Sequence, residues 1–204
     1  MKNKIIAVIE AGGKTTLIHR LAEEYRRKGA SVLVSTTTHM LVEPDTDLSC
    51  DSFAVMEKIK KTGYCMAGAV CPENSAKMQS LPEQMLHDLM KQVDYALIEA
   101  DGAKHYALKY PSEQEPVIPK GTTDVILVLG SWDLGKPCKD VVFRFEHMTS
   151  ALGISGDMKA DKQMLQWIWQ AYEEKLKNMD YQGHFHVLLS EKTDQGLMFH
   201  TLEE

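Results

Sequence analysis

The sequence predicts an α/β protein, a mostly parallel sheet flanked by helices on both faces, in one domain over residues 1–204. Two patterns carry that prediction. Short apolar runs of strand length alternate with segments of helical period, and the first run breaks into a glycine turn that opens a helix. Lys4–Ile9 is the first strand. In the helix after it, Leu17, Ile18, Leu21, Ala22 and Tyr25 share one face, Arg20, Glu23, Glu24 and Arg27 the other, and Gly29 closes it. Ser31–Ser35 is a second strand running into Thr36-Thr37-Thr38-His39, and the polar stretch 43–51 with Pro44 is a loop. Phe53–Lys61 reads as helix, Tyr64–Ala69 as strand, and Pro82–Val93 as a helix with the stripe Leu86, Leu89, Met90 and Val93. Tyr95–Ile98 is a buried strand, followed after a proline-marked excursion (Leu108–Pro119) by another at Asp124–Leu129. Helices are expected at Glu146–Leu152 and Ala160–Lys177, with His186–Leu189 as the last strand.

Glu10-Ala11-Gly12-Gly13-Lys14-Thr15-Thr16, between strand and helix, has the order of parts of a phosphate-binding loop, which makes the expected fold phosphate-loop NTPase-like. The Gly12 and Gly13 amides and the positive helix start would cradle an anion, with Thr16 in the same turn. Lys14 would neutralise terminal phosphates and the Thr15 hydroxyl would ligate Mg²⁺. The full pattern places a glycine where this chain has Val8, and Glu10 adds a carboxylate to the turn. At about 6 Å from a phosphate such a carboxylate costs about 2–3 kcal/mol per unit charge.

Glu99, the first residue past a buried strand, lies where an acidic side chain orders Mg²⁺ or its waters, and Asp101 follows on the same turn. Parallel strands bring their C-terminal ends to one edge, so these carboxylates and the glycine turn are expected to share a crevice. Thr37 and Thr38 reach the same edge and would sense a terminal phosphate. Ser190-Glu191-Lys192-Thr193-Asp194 resembles the N-K-x-D base-recognition loop of guanine-nucleotide proteins, so Lys192 and Asp194 are candidate base contacts. His184 and His186 alternate on one strand, a spacing that metals use, with no third ligand in view.

The formal net charge of −6, with no arginine-rich run, argues against nucleic-acid binding. Neither a signal-peptide pattern in Met1-Lys2-Asn3-Lys4 nor an apolar run of membrane-spanning length is present, so the expected location is the cytoplasm. Cys50, Cys65, Cys71 and Cys138 form no C-x-x-C pair and read as idle thiols.

Gly-Gly-Lys-Thr-Thr, Thr-Thr-Thr-His, Glu99-Ala100-Asp101-Gly102, Leu108-Lys109-Tyr110-Pro111, Glu115-Pro116-Val117-Ile118-Pro119 and Leu134-Gly135-Lys136-Pro137 occur in that order. Together they resemble the YqeC family, described as accessory proteins for selenium-dependent molybdenum hydroxylases, from about Ile5 to Asp194. The family loop usually has glycine at the place of Glu10. The resemblance implies a partner in a molybdenum hydroxylase or its cofactor-maturation proteins. The leading expectation is a protein that binds Mg²⁺ with ATP or GTP, with hydrolysis left open; Lys14, Glu99 and Asp101 would be its catalytic groups and Thr15, Glu99 and Asp101 its metal ligands. The alternatives are a small-molecule kinase acting on a selenium- or pterin-type substrate, with His39 or Asp101 as base, and a binding module without catalysis. Lys109, Glu115 and Lys136, beside prolines, are expected at the site edge, either holding a ligand or only turning the chain.

Overall fold

The computed structural model describes residues 3–103 and 106–202; Met1 and Lys2 of the N-terminal motif lie outside the described residues. The elements run β1 (Lys4–Glu10), α1 (Lys14–Arg27), β2 (Val32–Thr36), β3 (His39–Leu41), α2 (Ser52–Thr62) and β4 (Tyr64–Met66). Then come β5 (Ala69–Val70), β6 (Lys77–Gln79), α3 (Glu83–Lys91), β7 (Tyr95–Glu99), β8 (Leu108–Lys109) and β9 (Asp124–Gly130). The chain continues through α4 (Cys138–Val141), β10 (Val142–Phe143), α5 (Phe145–Leu152), α6 (Lys162–Asn178), β11 (His184–Thr193) and β12 (Gly196–Thr201).

Seven strands form the central sheet in the order β12-β11-β9-β1-β7-β2-β4, all parallel except β12, which runs antiparallel to β11. Strand alternation divides the core. Ile6 and Val8 of β1 pack with Leu17, Ile18 and Ala22 of α1 on one face. Ile5 faces the opposite side with Val55 and Ile59 of α2 and Leu86 and Leu89 of α3. Ala7 and Ile9 join Met164, Ile168 and Tyr172 of α6 on that side. Helices therefore cover both faces, as runs of apolar residues without polar alternation require. Each fully buried Ile or Leu contributes about 1.5–3 kcal/mol to this packing.

The topology fixes where a ligand would bind. From β1 the chain goes to β2, beyond β7, and only later returns to the other side of β1 through β9 and β11. The strand order reverses between β1 and β9, and in open α/β sheets the crevice outside the strand C-termini at such a reversal receives ligands. The glycine loop leaves β1 at that point.

Three features differ from the sequence expectation. The apolar stretch expected as one strand at Tyr64–Ala69 divides into β4 and β5; β5 leaves the main sheet to join β6 and β3 in a small antiparallel sheet. The last strand is longer than His186–Leu189 and returns as a hairpin, so the expected base-recognition loop is the end of β11 and its turn. The proline-marked excursion carries β8, which pairs with β10.

Candidate functional site

Gly12 and Gly13 are the hinge of the site because nothing larger fits. A Cβ on Gly12 would lie 2.3 Å from the Val128 carbonyl oxygen and 2.5 Å from the Gly130 nitrogen, both backbone atoms of β9. Gly13 has φ 97°, in the left-handed region that glycine tolerates, and its Cβ would meet Leu197 of β12 at 2.4 Å. The turn thus lies flat against β9 and launches α1 from Gly13. The Gly12 carbonyl accepts a hydrogen bond from the Ser190 hydroxyl at the end of β11.

The amide cradle is displaced from the expected position. The Gly12 N–H donates to the Val128 carbonyl at 2.7 Å and to the Glu10 carboxyl at 3.0 Å, while the Gly13 N–H donates to the Ala11 carbonyl at 2.7 Å. Among the described residues, the free donors are those of the first helical turn. Leu17 is the first residue of α1 whose N–H finds a helical acceptor, the Gly13 carbonyl, and no side chain caps the helix start. The N–H groups of Lys14, Thr15 and Thr16 are left for an anion, at the positive end of the helix dipole.

Lys14 is buried beside them, its ammonium donating to the Glu10 carbonyl oxygen. The Thr15 hydroxyl donates to Glu99 Oε2 at 2.9 Å, joining the start of α1 to the end of the neighbouring strand β7. Burial pushes the Glu99 carboxyl up, while Lys14 and the Thr15 hydrogen bond pull it back. Lys14, Thr15, Thr16, Thr38, Glu99 and Lys192 all line one cleft of about 940 Å³. That volume suits a drug- or nucleotide-sized ligand.

Other expected residues take different positions. Asp101, expected on the metal, is fully buried behind the cleft wall. Its carboxylate takes the Lys109 ammonium on one oxygen; on the other it accepts the Tyr172 hydroxyl at 2.6 Å and the Glu10 N–H at 3.2 Å. An oxygen set already filled by these donors is a structural anchor, so neither a metal-ligand nor a general-base role fits its geometry. Lys109 is completely buried and also reaches the Gly102 carbonyl at 2.7 Å and Glu115 at 2.6 Å. Arg144 closes the chain of charges on Glu115 at 2.6 Å. The Lys109–Glu115 pair therefore holds the excursion to the turn after β7; Lys136 is exposed and pairs with Asp133.

Thr37 turns its hydroxyl onto the Val117 carbonyl at 2.7 Å, away from the cleft lining, which leaves Thr38 as the threonine of this segment facing the cleft. Lys192 lies 4.7 Å over the Trp132 ring, both in the lining, while Asp194 sits in the exposed β11–β12 turn outside it. Arg144 and Trp132 are cleft residues that motif reading passes over. The half-exposed His186 contacts the buried Asp124 through Nε2 at 3.3 Å, far along β11 from the cleft edge.

Glu10 resolves differently from its expectation as a repelling charge. With φ 78° it adopts the left-handed conformation that glycine takes most readily, and it turns its carboxyl inward, out of the cleft lining. There it accepts the N–H groups of Ala11, Gly12 and, at 2.7 Å, Lys109. Complete burial pushes its pKa up to about 8, against which these N–H groups pull downward. The group is thus mostly neutral at pH 7, and the repulsion of a phosphate largely disappears.

A folded-state pKa of about 8 above an ordinary 4.5 means that the folded chain holds a proton the unfolded chain has lost between those values. Stability then falls as pH rises through that window, by up to about 5 kcal/mol from this group. Glu99 and Asp101, also raised, act in the same sense. Denaturant midpoints of wild type and Glu10→Gln from pH 5 to 8.5 isolate the Glu10 part: the variant is expected to gain relative to wild type as pH rises. Parallel curves would contradict the assignment.

Together, a mostly parallel α/β sheet and a glycine turn opening a helix beside a strand-end carboxylate define a protein class consistent with the phosphate-loop NTPase-like fold. The YqeC protein family pattern matches residues 6–146, which contain the loop, Glu99, the Lys109 network and Arg144, and the chain belongs to that family. The uncharacterized protein YqeC of Escherichia coli strain K12 is 34% identical over 161 residues, covering 75% of this chain and 62% of its own length. The chain thus spans under two thirds of that relative. No solved structure matches the chain. Among the described residues, no helix is long and apolar enough to cross a membrane.

Proposed function

We propose that this YqeC-family protein binds a nucleoside triphosphate with Mg²⁺ in the cleft at the C-terminal ends of β1 and β7. The observation that carries the reading is the 2.9 Å hydrogen bond from Thr15 to Glu99, formed beside Lys14 and beneath the unpaired amides of the first turn of α1. A helix cap alone gives no reason for a lysine, a threonine hydroxyl and a strand-end carboxylate to converge on one cleft floor. Phosphoryl recognition needs all three.

In this reading the Lys14–Thr16 amides take the terminal phosphate oxygens and Lys14 leaves the Glu10 carbonyl to neutralise them. Thr15 and Glu99 are hard oxygen donors at contact distance, a set that fits Mg²⁺ and would hold it. The ion would supply charge neutralisation between the outer phosphates. Glu99 would orient water from its position at the end of β7, and Thr38 would touch the outer phosphate. Trp132 and Lys192, both in the cleft lining, would offer a flat face to the base. The resemblance to accessory proteins extends the proposal: nucleotide binding would serve maturation of a selenium-dependent molybdenum hydroxylase or its cofactor, in the cytoplasm.

Calorimetric titration with ATP and GTP, with and without Mg²⁺, tests the reading and names the base. Saturable binding that strengthens with Mg²⁺ is expected. In Glu99→Gln the nucleotide is expected to bind with the Mg²⁺ dependence largely gone. No heat with either nucleotide would remove the proposal.

A further inference from the structure

The small antiparallel sheet contributes His39, Met40, Leu41 and Lys77 to the lining of the cleft. His39 opens β3 directly across from Gln79 of β6, and Ala69 of β5 lies across from the same Gln79 on its other side. The chain leaves β5 at Val70 and turns through Cys71 and Glu73. Residues 32 positions apart in sequence are thereby brought into contact range: a ring nitrogen of His39, the Cys71 sulfur and a carboxylate oxygen of Glu73 all lie within 4.8 Å of one another.

The three differ in a way that suits a ligand set. Cys71 is buried and its thiol donates to Glu73 Oε2 at 3.4 Å, while His39 and Glu73 are exposed. All three belong to the lining of the cleft that also holds Lys14, Thr15 and Glu99. Tetrahedral coordination at zinc-like bond lengths needs donor atoms roughly 3.3–3.7 Å apart. The remaining closure, on the order of 1 Å, falls to the exposed His39 and Glu73 side chains around the buried sulfur.

We propose that His39, Cys71 and Glu73 bind one divalent transition-metal ion of the zinc type, with a fourth coordination position open to the cleft. Sulfur and imidazole nitrogen disfavour Mg²⁺ and Ca²⁺, which select oxygen, and favour borderline ions such as Zn²⁺ or Co²⁺. Three protein ligands with one position open is the arrangement of sites that take a further ligand, in contrast to closed structural sites. A thiolate and a carboxylate together balance the ion's charge. The fourth ligand would come from water or from whatever occupies the cleft. The site rests on its own three side chains and stands whether or not a nucleotide binds the loop.

The test uses the full chain, chelator-treated and reduced, titrated with Co²⁺ in the absence of nucleotide and then displaced by Zn²⁺. One equivalent is expected to produce a thiolate-to-cobalt charge-transfer band and the visible bands of a four-coordinate ion, both removed by Zn²⁺. Cys71→Ser is expected to lose the charge-transfer band. His39→Gln, at an exposed position that does not support the core, is expected to weaken binding at least about 10-fold. Cys50→Ser and His186→Gln, which alter an exposed thiol outside the cleft lining and the strand histidine pair, are expected to change nothing. Absence of the band, its survival in Cys71→Ser, or unchanged affinity in His39→Gln would each overturn the site. If the buried Cys71 substitution unfolds the chain, the His39 variant decides alone. Because no nucleotide is present, failure here is separate from failure of the nucleotide reading.

Discussion

Lys14→Ala is expected to abolish measurable nucleoside-triphosphate binding while leaving the fold intact. The lysine is buried at the head of α1 with its ammonium turned onto the Glu10 carbonyl, a few atoms from the free amides of the first turn. Removing a desolvated cation from an anion site costs about 2–5 kcal/mol, or roughly 30- to 5,000-fold in affinity. Alanine is the best helix former, so α1 should still start at Gly13. Calorimetry on the variant, beside circular dichroism, reads both halves of the expectation. Retained affinity would mean that the anion sits elsewhere in the cleft.

Lys109→Met is expected to have the largest effect on stability. Its ammonium is the shared partner of Asp101 and Glu115, and Lys109 and Asp101 are completely buried. Methionine fills much of the volume but, among the described residues, leaves Asp101 with only Tyr172 and the Glu10 N–H as donors. Breaking a buried pair by deleting one partner costs about 3–5 kcal/mol. The double variant Lys109→Met with Asp101→Asn should recover about 1–3 kcal/mol of that, because the stranded charge is gone. Urea midpoints on the two single variants and the double give the coupling directly; strict additivity would contradict a shared network. The same network holds the turn after β7, so the single variant should also loosen the placement of Glu99.

The parallel strands of the main sheet are legible because they are apolar runs bounded by glycine, proline and charge, and their parallel direction follows from the helices between them. The small sheet is not, since strands of two or three residues are too short to show any period. β12 was missed because it is an edge strand whose residues alternate only between half-buried and exposed. That Lys14, Thr15 and Glu99 share one cleft is legible from order alone, because it follows from local spacing and from strand ends sharing an edge. The surroundings of Asp101 and Glu10 are not legible, for the converse reason. Their environment is set by Lys109, whose backbone N–H reaches Glu10 from 99 residues away, and by Tyr172 on α6. A carboxylate's role depends on which donors fill it, and those donors come from segments that no local motif connects. His39 and Cys71 likewise meet only through the register of a sheet that the sequence did not announce.

The most direct measurement is amide hydrogen exchange of the full chain with Mg²⁺ and saturating ATP or GTP, against the chain without nucleotide. Slowed exchange is expected in residues 11–17, where the Lys14, Thr15 and Thr16 amides would be covered, with a smaller effect at residues 36–39. No protection in 11–17, or protection confined to another part of the surface, would contradict the phosphate-loop reading.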